Sequence, residues 1–295
     1  MPAFQAFVDS AWSEHTVDPE GVAQRLAKRA ASLARMPADV LALMRLTGHL
    51  WGEHLGRWSE GVAQLRAWAE LPAWDGGPSL QDALACHVAA LQWCEGRPDA
   101  LRGLSGAQVV TALAYACAAM TGRKERARAI AAYRSALDEL ADEDGSRHWP
   151  NEAPVWRALA VAGNNLAAEL EELPQRSEAE TQAMVQAAEG GLMAWRLAGT
   201  WLQEERAEYR LSCSLLKAGR PHEARVAAQR CAALCQANDA PPFEHFFAFA
   251  AQAQACRAAG DLAAYALNRK TALHWYAQVP ADEQQWCEAD RLALG

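Results

Sequence analysis

The chain is 295 residues long, enough for one large domain or two small ones with a sizeable core. Apolar residues make up 51% of it, and much of that share is alanine, the strongest helix former and the smallest side chain that still buries apolar surface. A net charge of −8, from 36 acids against 28 bases, argues against a general affinity for nucleic-acid backbones.

The opening stretch "MPAFQAFVDSAWSEH" has no basic leader followed by an apolar core, so it does not read as a secretory signal. Asp18-Pro19 then signs a helix start, and Pro37, Pro78 and Pro154 occupy similar first-turn sites, where a missing N–H costs nothing. Helices are expected to stop at Gly56, Gly122, Gly219 and Gly260, which follow amphipathic runs and can take positive φ. The run "AQVVTALAYACAAM", 107–120, is too short to span a bilayer and is interrupted by Gln108 and Thr111. A soluble cytoplasmic protein without membrane partners is therefore expected. Arg123, Lys124, Arg126, Arg128 and Arg134 read as a solvated helix face rather than a nucleic-acid patch. The one long break is "EDGSRHWPNEAP", 143–154, which either separates two halves or kinks a continuous stack. Beyond it, Ser177 with Glu180 and Thr200 with Gln203 have capping-box spacing. These marks delimit roughly a dozen helices of about 14 to 20 residues and no convincing strand, so the fold class is all-α. Short connections force sequential helices to lie antiparallel, which makes the hairpin the unit. The eight cysteines are scattered through helices without a Cys-x-x-Cys pair, and read as reduced, small apolar residues at helix interfaces.

Several hairpins share a pattern. "GNNLAAEL" (163–170) and "YRLSCSLLKAGRPHEARVAAQRCAAL" (209–234) each carry a leucine followed by a small residue, and "QACRAAGDLAAYALNRKTAL" (254–273) repeats the Ala-Gly turn. "HLGRWSEGVAQLRAWAEL" (54–71) shows the same order of Gly, polar, aromatic and small residues. On these residues the chain resembles the tetratricopeptide repeat family. Leu166 to Leu211 spans 45 residues and Gly219 to Gly260 spans 41, longer than the usual period and similar to extended-helix members such as kinesin light chains. The resemblance is best over 152–279, and weaker over 38–72 and 106–140. It implies a right-handed α-solenoid of antiparallel hairpins, with N-terminal hairpins over 1–143, a connecting loop at 144–153 and C-terminal repeats over 154–295, taken as one continuous stack. "ADEQQWCEADRLALG" suits a capping helix with a polar outer face. Self-association through uncapped faces stays open.

Helix 199–218 carries three stripes at helical spacing. Ala207, Leu211, Leu215 and Ala218 would pack on the partner helix, and Trp201, Glu205, Glu208 and Ser212 would lie at a repeat border. Leu202, Arg206, Tyr209, Cys213 and Leu216, with Lys217 beside them, are placed by the resemblance along a concave groove that takes a peptide or protein segment. Arg206, Tyr209 and Lys217 are then ligand contacts, since Arg and Tyr combine broad contact area with hydrogen bonding. Asn164 and Asn165 hold the equivalent stretch one repeat earlier, and Phe247, Gln254 and Arg257 one repeat later. The plainer alternative keeps Tyr209 and Asn165 internal and pairs Arg206 with Glu205 or Glu208. Repeats that grip chaperone C-termini set lysine and asparagine where this chain has Tyr209, Cys213, Asn164 and Ala168, so that partner class does not carry over.

Motifs for chemistry are sparse. No phosphate-binding glycine loop or nucleophile elbow occurs, and no cofactor is implied. In "HLWGEHLG", His49 and Glu53 share a helical face while His54 lies about a third of a turn away, so the zincin spacing is missing and no metal is expected there. Cys231 and Cys235 lie one turn apart without further ligands, and Glu244 and His245 read as structural. Trp51, Trp58, Trp68 and Trp74 sit at intervals that suit packing faces better than sugar stacking. The expected function is a noncatalytic, peptide-binding scaffold. The alternatives are an all-helical enzyme using Glu204, Glu205 and Glu208, or a regulatory module of a transcriptional system.

Overall fold

Proline and capping side chains start the helices where the sequence places them. The computed structural model describes residues 3–141, 149–151 and 153–295. The loop expected at 144–153 lies outside them, apart from 149–151 and 153. All regular structure among the described residues is helical, and no described helix is long and apolar enough to cross a membrane. The chain divides into two units, Met1–Pro150 and Asn151–Gly295.

The first unit contains α1 (Ala3–Glu14), α2 (Pro19–Arg25), α3 (Ala31–Leu33), α4 (Pro37–His49), α5 (Trp58–Trp68), α6 (Pro78–Glu95), α7 (Gly106–Gly122) and α8 (Arg126–Leu140). Asp18 caps α2 by accepting from the Gly21 N–H at 2.9 Å. Two stretches wind as π-helix, Leu26–Ala30 after α2 and Leu50–Leu55 continuing α4. The second ends at Gly56, whose φ of 63° is left-handed. It packs on α7 and α2, while α4 packs on α5 and α6. Leu43, Met44, Leu46, Leu50 and Leu65 are fully enclosed in this core. Trp51 and Trp68 join them, with Trp58 and Trp74 partly buried against the same cluster, so the tryptophan-rich hairpin is packing. Trp68 donates from Nε1 to Thr47 Oγ1 at 2.9 Å, which satisfies its buried polar atom.

Two sequence expectations change here. Gly122 ends α7 without a left-handed backbone, and the positive φ, 60°, belongs to Lys124. What Gly122 allows is close approach: a Cβ there would stand 2.8 Å from Glu53 Cβ and 3.0 Å from the Glu53 carbonyl oxygen. Arg128 is only partly solvated. Its guanidinium lies 5.6 Å from the centres of both Trp58 and Trp93 and donates to the Cys94 carbonyl at 2.6 Å, covering the end of α6.

The second unit contains α9 (Pro154–Glu171), α10 (Glu178–Ala198), α11 (Trp201–Lys217), α12 (Pro221–Ala237), α13 (Pro242–Ala258), α14 (Leu262–Tyr276) and α15 (Gln284–Ala293). Ser177 and Glu180 form the capping box at α10, and Gln203 reaches back to the Thr200 N–H at 2.8 Å. Gly219 and Gly260 turn the chain at φ of 73° and 80°. α9 pairs with α10, α11 with α12, and α13 with α14; α10 then packs on α11 and α12 on α13. Odd-numbered helices also touch in succession, α9 to α11, α11 to α13 and α13 to α15. Ala224, Ala227, Ala228, Ala248, Ala250 and Ala253 are wholly enclosed between them.

Gly122→Ala tests the close approach in the first unit. Alanine gains about 1 kcal/mol of helix propensity over glycine, but its methyl would meet Glu53 backbone that cannot yield. A net destabilisation of about 1–3 kcal/mol is expected from urea unfolding midpoints.

Candidate partner-binding face

The phase read for α11 is the one it adopts. Ala207, Leu211 and Leu215 are buried, and so are Glu205, Glu208 and Ser212 of the border stripe. Ser212 donates from Oγ to the Ala224 carbonyl at 2.9 Å, joining α11 to α12.

The buried acids of α11 are each held through one oxygen, Oε1, while Oε2 of Glu205 and of Glu208 is buried without a hydrogen-bond partner. Glu208 is 0% exposed, and its Oε1 accepts from Arg196 of α10 and Arg230 of α12, both at 2.7 Å. Glu204 accepts from Arg196 at 2.9 Å. Glu205 is 1% exposed and accepts the Cys231 thiol at 2.8 Å and the Cys235 thiol at 3.5 Å on the same oxygen. Burial pushes the Glu205 carboxyl up to about 7, with the thiol bond of Cys231 opposing and the charge of Glu244 adding to the rise. The Cys231 thiol is held far above its ordinary value by its contact with Cys235, its burial and the nearby Glu205. Glu204 and Glu208 thus share the Arg196 guanidinium, while Glu205 turns away from them to the thiols of α12.

The residues placed on the groove stripe mostly tie neighbouring helices. Arg206 donates from Nε to Glu244 of α13 at 3.2 Å and makes a second, shorter bond from its terminal nitrogen. Its partner is therefore Glu244, not Glu205 or Glu208. The pair is one-sided: the Arg206 side chain is 58% exposed and that of Glu244 only 6%. Lys217 donates from Nζ to the Glu171 carbonyl at 2.6 Å, covering the end of α9. Arg210 and Ser214 bind the Glu171 carboxylate, Ser214 at 2.6 Å. Tyr209 donates its hydroxyl to Asp290 of α15 at 3.0 Å and packs edge-on against Phe247 at 5.4 Å. Gln254 interacts with the same Asp290, whose carboxyl is raised above its ordinary value by burial. Arg257 is exposed, its guanidinium 5.5 Å from the Tyr265 ring centre. Asn165 is exposed as well and accepts from the half-buried Asn164 at 3.4 Å.

Sequence reasoning missed Glu171, Glu244 and Asp290 as partners. A signal existed for two of them: Arg210 to Glu171 spans 39 residues and Arg206 to Glu244 spans 38, so each tie crosses about one helix pair.

The buried carboxyl gives a pH prediction. Folded Glu205 keeps its proton to about pH 7, whereas its ordinary value is 4.5. The folded state therefore binds the extra proton between these limits, and the stability this provides, complete below the ordinary value, is lost as pH rises through 7. Glu205→Gln cannot ionise, so its stability relative to the unaltered chain should climb between pH 5 and 7.5, read as urea midpoints at each pH. A difference that does not change over that interval would mean that Glu205 is already charged when folded.

No protein-family model matches this chain and no curated protein matches it, so the meaning of the face rests on its own geometry.

Proposed function

We propose that the second unit is a noncatalytic scaffold that receives an extended peptide or partner helix along the face of α9, α11 and α13, as the inner surface of a tetratricopeptide-like solenoid. The succession of contacts α9 to α11 to α13 carries this reading. A stack whose first helices touch in order, while each also pairs with its own second helix, is how repeat solenoids build a continuous binding surface. The groups left at the surface support the choice of ligand. Arg206, Lys217 and Arg257 offer cations, and Asn165 offers an amide able to bond a peptide backbone whatever its side chains. A segment rich in carboxylates suits that set, with modest affinity on the order of micromolar, because a face lined by small residues supplies few deep anchors. The overall charge of −8 leaves this local basic face as the contrast that orients an acidic partner.

Selection from a displayed library of random peptides tests the reading. Enriched peptides should be acidic, and Asn165→Ala combined with Arg257→Glu should weaken their binding at least about tenfold by fluorescence anisotropy. Arg206 and Lys217 are kept in that variant because they also hold neighbouring helices. An unenriched library, or equal binding by the variant, would remove this face from consideration.

A further inference from the structure

A second constellation lies in the first unit and owes nothing to the partner-binding face. His15 follows the end of α1, His49 ends α4, and His54 belongs to the π-helical stretch Leu50–Leu55. On an α-helix, positions 49 and 54 diverge, which is the reason the sequence spacing argued against a site. A π-helix bonds i to i+5 and brings these two positions toward one face. The His49 and His54 Nε2 atoms consequently stand 3.1 Å apart. His15 completes the group from α1, with ring centres 4.9 Å from both His49 and His54. One ligand-capable atom from each of the three lies within 4.8 Å of the others, and all three residues are half-buried.

The outer nitrogens are already committed. His49 Nδ1 lies 2.7 Å from Glu53 Oε1, and His15 Nδ1 lies 2.6 Å from the Trp12 carbonyl oxygen. Both acceptors require an N–H at Nδ1, which leaves an Nε2 lone pair on each ring; that of His49 accepts from the His54 Nε2–H, a bond that a metal ion would replace. A carboxylate or carbonyl behind the imidazole is the arrangement that orients metal-binding histidines and raises their basicity. The backbone of Glu53 in turn packs closely on Gly122. Packing with Trp12, whose ring centre lies 5.2 Å from His15 and 5.0 Å from His49, explains why aromatic rings gather here but not why the Nδ1 atoms are tethered.

We propose that His15, His49 and His54 form a three-histidine site for a divalent transition-metal ion of the zinc class, with Glu53 and the Trp12 carbonyl as its outer shell. Imidazole donors favour zinc, copper, nickel and cobalt over magnesium or calcium. Zinc bonds of about 2.0–2.1 Å in a tetrahedron put donor atoms roughly 3.3 Å apart, close to the 3.1 Å that His49 and His54 show. Three protein ligands leave a fourth position for water or a small ligand, as in catalytic rather than closed structural sites.

The test uses the whole chain without an affinity tag, stripped with a chelator and titrated with zinc chloride by calorimetry and with cobalt chloride by visible absorption. About one ion per chain should bind, with cobalt showing ligand-field bands of nitrogen coordination. His15→Ala and His54→Ala should each weaken zinc by more than about tenfold, and Glu53→Gln by about 10- to 100-fold. Cys231→Ser, titrated in parallel, should bind as the unaltered chain does. Circular dichroism of the ion-free variants reports whether they fold. Independently of any variant, zinc should protect His15, His49 and His54 of the unaltered chain from diethyl pyrocarbonate, mapped by mass spectrometry. Absence of binding, undiminished binding by both folded histidine variants, or unprotected histidines would each overturn the proposal.

Discussion

The narrow side chains between helices set the terms for the second unit. Ala227, Ala228, Ala250 and Ala253 are fully enclosed, and a methyl group is the only bulk they place between neighbouring backbones. Helices packed this closely leave little space for water, so each polar group drawn into the interface needs a partner from the protein. Glu208, at 0% exposure, is met by Arg196 and Arg230, and Glu171 by Arg210 and Ser214. Close packing and the dense polar ties are two consequences of one composition. Glu205 has no cation among these partners: it meets two thiols and the Glu244 carboxyl, and its own carboxyl accordingly favours the neutral form.

The first unit uses the same device in α7 and α8, where Ala112, Ala116, Ala129, Ala132 and Ala136 are fully enclosed. Around α4 its core also takes larger leucine, valine and tryptophan side chains, and glycine is used where the π-helical stretch must approach another helix. Leu50, Trp51 and Gly52 are buried within that stretch, so packing holds the irregular winding in place. A π-turn is rare, and it survives where the surroundings over-determine it. Here the turn also brings His49 and His54 together, so packing and the histidine arrangement depend on the same local departure from regular helix.

Local signals in the sequence translated well. Pro37, Pro78 and Pro154 open helices, Gly56, Gly219 and Gly260 turn them, and the buried stripe of α11 was read in its correct phase. These features depend on a few neighbouring residues, and a backbone angle or a cap is decided at that range. The failures are all non-local. Gly122 looked like a stop signal, yet its value lies in contact with Glu53, far away in sequence. His54 looked misplaced because the winding of residues 50–55 is decided by tertiary packing and has no periodic signature. His15 comes from a different helix altogether. For Tyr209 the sequence shows the residue and its face but not Asp290, which lies 81 residues further along.

That last point bears on whether a residue that ties the stack can also meet a ligand. Tyr209 has one hydroxyl proton, and giving it to Asp290 leaves only its ring for a partner. Arg206 is different. A guanidinium carries five N–H donors in a planar fork, and the pairing with Glu244 uses only Nε and one terminal nitrogen, while the side chain stays 58% exposed. Lys217 likewise has three donors and spends one on the Glu171 carbonyl. An incoming carboxylate can therefore share these two cations without stripping them from the buried groups they serve. A tyrosine tie would have to break first. On this ground Arg206 and Lys217 keep donors to spare for a ligand, whereas Tyr209, Phe247 and Gln254 serve the contact between α11, α13 and α15.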